Sequence, residues 1–178
     1  REYCRDYRNY FRCEENNNRV AFAGKAFLTV QMCKLLKEEN MSLDVVSGGE
    51  LYTAYKAGFP LERVMFHGNN KTLDEIELGV KLGVGNFVVD NHYEMEVLND
   101  IAKSYGKTQN IYLRITPGIE AHTHDYIKTG QIDSKFGFAP VGTVIEDAVE
   151  KAINLENINL AGIHCHIGSQ IFELQPYE

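Results

Sequence analysis

Two short stretches carry side chains that could bind a flat cofactor, one through a covalent bond and the other through stacking and hydrogen bonds. Lys25 lies near the end of the apolar run 19–27, where partial desolvation would favour the neutral amine that attacks an aldehyde. His164 and His166 occupy alternate positions near the end of the chain, and Ser169 follows them. One imidazole could stack on a cofactor ring while Ser169 and nearby backbone N–H groups bind a phosphate. The structural alternatives are a lysine that reaches solvent and a histidine bonded to a core carbonyl.

Further polar side chains recur along the chain, each at or just after the end of an apolar run. They are Asp44 with Ser47, His67 with Asn69, Asp90, and Arg114. Arg114 could hold a carboxylate bidentately or pair with Asp44. Ser47 and Glu50 have the Ser-x-x-Glu spacing of a helix capping box, which explains both residues without a role in binding.

The apolar runs alternate with helical patterns about six times, at roughly 20–25 residues per strand–helix unit. This alternation needs parallel strands joined by right-handed crossovers, in a sheet that is buried on both faces. A doubly wound sheet and a barrel both satisfy it, and no G-x-G-x-x-G motif follows the first strand. Because a barrel brings the carboxyl ends of all its strands to one rim, the polar residues there favour an α/β (β/α)8 barrel of the TIM type. The chain would supply about six of the eight units, so the barrel would be incomplete.

The first fifteen residues have the spacing of an amphipathic helix. One face carries aromatic side chains, and arginines recur with their own helical spacing. The aromatic residues are Tyr3, Tyr7, Tyr10 and Phe11, and the arginines are Arg1, Arg5, Arg8 and Arg12. The pattern predicts an arginine face in solvent, with contact to an acidic partner as the alternative.

The composition excludes several classes of function. With 178 residues, 44% of them hydrophobic, the chain is long enough for one globular domain with a core. A formal net charge of −7 disfavours nucleic-acid binding. The cysteines Cys4, Cys13, Cys33 and Cys165 form no C-x-x-C motif, which indicates reduced thiols and a cytoplasmic protein. The sequence also contains no apolar run of the ~18 residues that a membrane helix needs.

Several stretches in fixed order resemble the diaminopimelate decarboxylase family. They are Gly24-Lys25-Ala26, 43–51, Phe66-His67-Gly68-Asn69, 113–118, His122-Thr123-His124, Thr129-Gly130, 133–137 and 162–170. The resemblance covers nearly the whole chain. The His-Thr-His stretch and the Asp-Ser-Lys-Phe-Gly stretch at 133–137 distinguish it from the related ornithine and arginine decarboxylases.

The resemblance implies a cofactor, a reaction and site residues. Lys25 matches the lysine that binds pyridoxal 5′-phosphate covalently, His166 the histidine stacked on the pyridine ring, and Ser169 the serine that hydrogen-bonds the phosphate. The other positions that match cofactor-site residues are Asp44, His67 and Arg114. The implied reaction is decarboxylation of meso-2,6-diaminopimelate to L-lysine and CO2, the last step of lysine biosynthesis, in which the cofactor ring acts as electron sink. The full-length protein would be a cytoplasmic homodimer.

By the same resemblance, residues 1–178 are a partial pyridoxal-phosphate-binding barrel domain. The family's N-terminal segment and C-terminal β-domain have no counterpart here, nor do its glycine-rich phosphate loop and its Glu-Pro-Gly-Arg segment. We therefore expect that this chain alone neither closes a barrel nor decarboxylates.

Functions of two other classes remain as alternatives. A decarboxylase-like binding or regulatory protein could keep the fold without the chemistry, although retention of Lys25 argues against it. A metal-dependent barrel hydrolase could use the His-x-His pairs, His122 with His124 beside Asp125 or His164 with His166. Such hydrolases carry His-x-His on the first strand, where this sequence has a lysine.

Overall fold

A computed structural model describes residues 1–11, 19–117, 136–168, 172 and 175. The chain divides into two compact units, 1–87 and 88–178. The helices of the described part are α1 (Glu2–Tyr10), α2 (Val30–Glu38), α3 (Gly48–Lys56), α4 (Leu73–Leu82), α5 (His92–Ser104) and α6 (Val144–Asn154). Its strands are β1 (Ala21–Ala23), β2 (Ser42–Val45), β3 (Val64–Phe66), β4 (Asn86–Val89), β5 (Gln109–Ile115) and β6 (Ile158–Cys165). In this part of the chain, no helix has the length and apolar character that crossing a membrane requires.

The strands follow one another in sheet order exactly as they do in sequence. The order is β1-β2-β3-β4 in the first unit and β4-β5-β6 in the second, which begins within β4. Strand β1 pairs with β2, β2 with β3, β3 with β4 and β5 with β6, each in parallel. Ala23 lies opposite Asp44 in the first unit, and Arg114 lies opposite His164 in the second. Neither unit contains the reversal of strand order that defines a doubly wound sheet. The predicted parallel α/β architecture is thus confirmed, and its topology is that of successive barrel units.

The strands carry the core of each unit because parallel strands are covered by helices on their faces. In the first unit the rings of Phe66 and Phe87 pack at a centroid distance of 5.4 Å. Other fully buried side chains of this unit are Leu36, Leu43, Val45, Leu51 and Val64. The corresponding side chains of the second unit are Val89, Met95, Leu98, Ile111 and Leu113. Each unit thus holds its strand ends on a packed apolar layer.

Helix starts are capped largely as their sequences predict. The Thr72 hydroxyl and the Glu75 carboxylate form a reciprocal capping box at α4. At α3 the Ser47 hydroxyl accepts a hydrogen bond from the Glu50 amide at 3.3 Å, the first half of the predicted box. A cap by Thr143 at α6, expected from the spacing Thr143-x-x-Glu146, is wrong. The Thr143 hydroxyl donates instead to Asp147, because its backbone lacks the extended conformation that aims a cap at the helix amides.

Helix α1 contacts the first unit through its arginines, which the prediction of a solvated arginine face did not include, although the Arg1 and Arg5 side chains stay 49% and 61% exposed. Arg1 and Arg5 form ion pairs with the Glu39 carboxylate at 2.9 and 2.8 Å, and Arg8 donates to the Glu39 carbonyl. Glu39 is only 5% exposed. The charged hydrogen bonds from Arg1 and Arg5 compensate for the desolvation of its carboxylate. The aromatic side chains that face solvent instead are Tyr3, Tyr7, Tyr10 and Phe11.

This docking makes the titration of Glu39 a direct test of the helix position. Hydrogen bonds from Arg5 and then Arg1 lower the Glu39 pKa from its ordinary value of 4.5 to about 2. Because the pKa is lower in the folded state, the ion pairs stabilise the docked helix fully above about pH 4.5, and this contribution is lost as the pH falls through about 2.

We expect an NMR titration of the Glu39 carboxyl carbon to show a midpoint near pH 2, as its pKa of about 2 requires. Arg5→Gln should raise that midpoint, because it removes the larger of the two stabilising contacts. Arg8→Gln is the matched control, since Arg8 contacts the Glu39 carbonyl rather than the carboxylate. A wild-type midpoint close to the ordinary carboxyl value would contradict the docked position of α1.

Candidate active site

Lys25 lies just beyond β1, in a single 3-10 turn over Gly24–Ala26. The strand ends at Ala23, earlier than the apolar run suggests, and Lys25 is exposed. Within the described residues, the Lys25 amine has no hydrogen bond or ion pair. The partial desolvation that the sequence predicts for this amine is therefore not seen in the described residues. The amine is instead accessible to a carbonyl compound.

Gly24 fixes the backbone immediately before this lysine. Gly24 is buried, and a Cβ built on it would lie 2.9 Å from the Asp44 carbonyl oxygen and 3.4 Å from the Glu50 carboxylate. No side chain fits in that space, because real Cβ atoms essentially never come so close to a carbonyl oxygen. The end of β1 is therefore pressed against the end of β2, which sets where Lys25 leaves the strand.

Asp44 and His67 form a close pair at the ends of neighbouring strands β2 and β3. Asp44 Oδ1 lies 2.8 Å from His67 Nδ1, and both side chains are largely buried. The backbone reinforces the pair, since the His67 amide donates to the Val45 carbonyl at 2.8 Å. The contact has the distance of an ion pair without the geometry of a hydrogen bond, so the carboxylate restricts the imidazole ring by its proximity. Two of the sequence-predicted site residues of the first unit are thus brought into direct contact.

Glutamates brace two of these strand ends, which the sequence pattern did not reveal. The Glu50 carboxylate accepts from the Val46 amide at 2.8 Å, instead of completing the predicted box with Ser47. In the second unit, the Glu94 carboxylate accepts from the Asp90 amide at 3.2 Å. Each glutamate stands four residues after the amide that it binds, and this repeated spacing is the signal that could have identified it.

In the second unit, Arg114 lies beside Asp90 and over an aromatic ring. Its Nη1 is 3.7 Å from Asp90 Oδ1, a distance of charge pairing rather than hydrogen bonding. The guanidinium carbon lies 4.3 Å from the centroid of the Phe136 ring. The Gly137 amide donates to Asp90 Oδ2 at 2.9 Å. Asp90 thus contacts two features that the sequence suggested separately, Arg114 and the segment 136–138, called the Phe-Gly stretch below.

The Phe-Gly stretch is also bound to the end of β5 by its backbone. The Phe138 amide donates to the Arg114 carbonyl at 2.8 Å, and the Thr116 amide donates to the Phe138 carbonyl at 3.0 Å. The Thr116 hydroxyl donates to the Phe136 carbonyl. This stretch therefore behaves as an extension of the sheet at the carboxyl end of β5.

The two histidines near the end of the chain lie at different positions relative to β6. His164 lies within the strand, opposite Arg114 in register, whereas β6 ends at Cys165 and His166 follows it. Both residues are partly buried. Ser169, His122 and His124 lie outside the described residues. Within the described ranges, no three His, Cys, Asp or Glu side chains cluster as a metal ion would require.

Comparison with known proteins supplies the family. The whole chain, residues 1–178, matches the family model described as pyridoxal-dependent decarboxylase, pyridoxal binding domain. A diaminopimelate decarboxylase of Halalkalibacterium halodurans is 56% identical over 173 residues, which are 97% of this chain and 39% of that protein. The corresponding enzyme of Bacillus subtilis is 52% identical over the same share of both chains. This chain thus spans about two fifths of the length of the curated relatives it matches.

Solved structures agree with the sequence comparison. The diaminopimelate decarboxylase of M. jannaschii, in co-complex with L-lysine, superposes with a TM-score of 0.86 at 36% identity. The match covers 99% of this chain and 41% of that one. The likeness in fold confirms the predicted decarboxylase barrel, and the family match confirms pyridoxal phosphate as the cofactor. The chain belongs to the pyridoxal-dependent decarboxylase family and carries the family's pyridoxal binding domain.

Proposed function

We propose that the complete protein containing this chain decarboxylates meso-2,6-diaminopimelate to L-lysine and CO2. The observation that carries the proposal is Lys25, an exposed amine without an ion pair in the described structure, at the end of the first strand of a pyridoxal binding domain. The names of the relatives support the choice of substrate. The L-lysine in the M. jannaschii structure would correspond to the product.

The residues of the chain fit an anionic, flat aldehyde cofactor. Lys25 would bind it covalently, and the close packing at Gly24 fixes the point at which this side chain leaves the backbone. His67, restricted by Asp44, and Arg114, beside Asp90, would donate hydrogen bonds to the cofactor's oxygens. His166 would stack on the ring and Ser169 would bind the phosphate. When bound, pyridoxal phosphate supplies the electron sink that stabilises the carbanion left by CO2 loss.

The assembly and location of the protein are part of this proposal. We infer a cytoplasmic homodimer, as the resemblance to the decarboxylases implies. Light scattering on the complete protein tests the dimer, since it should report twice the mass of one chain.

We expect the complete protein with added pyridoxal phosphate to release CO2 from meso-diaminopimelate and to form L-lysine in equal amounts. L-ornithine and L-arginine are the controls, because decarboxylases with these substrates share the fold at lower identity. The measurement is trapped CO2 together with product analysis. Release of CO2 from ornithine or arginine but not from meso-diaminopimelate would show that the protein has a different substrate. Cofactor binding without any turnover would favour the non-catalytic alternative.

A further inference from the structure

Asp90 is a buried carboxylate to which neither the sequence pattern nor the comparisons give a role. It follows β4 directly and is 6% exposed. A buried carboxylate destabilises the fold unless its oxygens find donors or cations. Its two oxygens serve different partners, because Oδ2 accepts from the Gly137 amide while Oδ1 faces Arg114 Nη1. These two contacts define what Asp90 does.

The Arg114 side chain is therefore contacted both by Asp90 and by the Phe136 ring. One face of its guanidinium lies on the Phe136 ring, and one nitrogen lies 3.7 Å from Asp90. A side chain fixed in this way loses little further freedom when it binds a ligand, which increases affinity.

We propose that Asp90 is a positioning residue for cofactor binding. One of its oxygens orients Arg114, and the other holds the turn that carries the ring beneath the guanidinium. Asp90 therefore acts through Arg114 and does not itself touch the cofactor. The inference rests on the proposed function, in which Arg114 binds pyridoxal phosphate.

Two substitutions separate the contacts of Asp90. Asp90→Asn keeps an amide oxygen that can accept from Gly137, but it removes the negative charge beside Arg114. Asp90→Ala removes both contacts. Asp100→Asn is the matched control, because Asp100 is an exposed aspartate on α5 of the same unit.

The first measurement uses the complete protein without cofactor. We expect the Gly137 amide to exchange with deuterium about tenfold faster in Asp90→Ala, as loss of one hydrogen bond of ~1.4 kcal/mol implies, and to remain close to wild type in Asp90→Asn. Equal protection of this amide in wild type and Asp90→Ala would overturn the anchoring contact. If the alanine variant fails to fold, the cofactor titration of Asp90→Asn described next still tests the positioning role.

The second measurement is a titration of the same proteins with pyridoxal phosphate, followed by absorbance. Asp90→Asn should raise the cofactor dissociation constant about tenfold, the usual scale for loss of a supporting side chain. Arg114→Gln should raise it at least as much, and the double variant should bind no more weakly than Arg114→Gln alone. If Asp90 had only a structural role, the effects of Asp90→Asn and Arg114→Gln on the cofactor dissociation constant would add in the double variant.

The outcomes distinguish the two proposals. If wild-type protein binds no pyridoxal phosphate or releases no CO2, the proposed function fails. If wild type is active but Asp90→Asn binds the cofactor as tightly as Asp100→Asn does, or if the effects of Asp90→Asn and Arg114→Gln add, only the positioning role of Asp90 is refuted.

Discussion

Replacing Lys25 by alanine is expected to lower decarboxylation by the complete protein at least about a thousandfold. The variant should also lose the visible absorption band of covalently bound cofactor. Both effects follow from the role proposed for this amine, which is to attack the cofactor's aldehyde. The fold should persist, because Lys25 is exposed and substitutions at such positions change the free energy of unfolding by only ~0.5 kcal/mol.

Lys34→Ala is the control for this prediction, since Lys34 is another exposed lysine of the first unit and lies on α2. It should retain both the band and the activity. Borohydride reduction of wild-type protein, followed by peptide mass analysis, should place the cofactor's mass on the peptide containing Lys25. A Lys25→Ala variant that kept the band would refute the assignment of this residue.

Replacing Gly137 by alanine is expected to lower the free energy of unfolding by about 3 kcal/mol, the combined scale of backbone strain and overpacking. Gly137 has φ +73°, which disfavours any residue with a Cβ, and that Cβ would lie 2.5 Å from the Arg114 carbonyl oxygen. The same change should weaken cofactor binding, because it pushes apart the turn and the strand that carries Arg114. Urea unfolding and cofactor titration measure the two effects.

Gly142→Ala provides a control in the same unit. Gly142 has φ +57°, but a Cβ there would meet no atom within 4 Å. It should lose only the ~1 kcal/mol of left-handed backbone strain and leave cofactor affinity unchanged. Equal losses in the two variants would show that the close approach to Arg114 has no energetic effect.

The fold was predictable because its signals are local. Strand runs, helix periodicity and caps such as Thr72 with Glu75 all operate within a few residues. The positions of Lys25, Asp44 and His67 at strand ends followed from the same pattern. The contacts of α1 were not predicted because periodicity separates two faces of a helix without showing what either face contacts. The deciding residue, Glu39, lies 34 positions from Arg5.

The candidate site was less predictable because its contacts join distant parts of the chain. The bond between Asp90 and Gly137 spans 47 residues, and that between Gly48 and Glu75 spans 27. Neither pair has a spacing that marks it in the sequence. The residue types suggested where reactive groups lie, whereas the partners that orient them become visible only once the strands are placed side by side.

The glutamate braces restrict where a phosphate group can bind. Starts of helices after parallel strands ordinarily offer free amides to anions. Here the amides of Val46 and Gly48 already bind the chain's own carboxylates, and the amide of Asp90 does the same before α5. An incoming phosphate would have to displace one of these carboxylates, two of which belong to the helix that follows the same strand, whereas the third, Glu75, belongs to α4. Under the proposed function, we therefore expect the phosphate of the cofactor to be recognised at other strand ends.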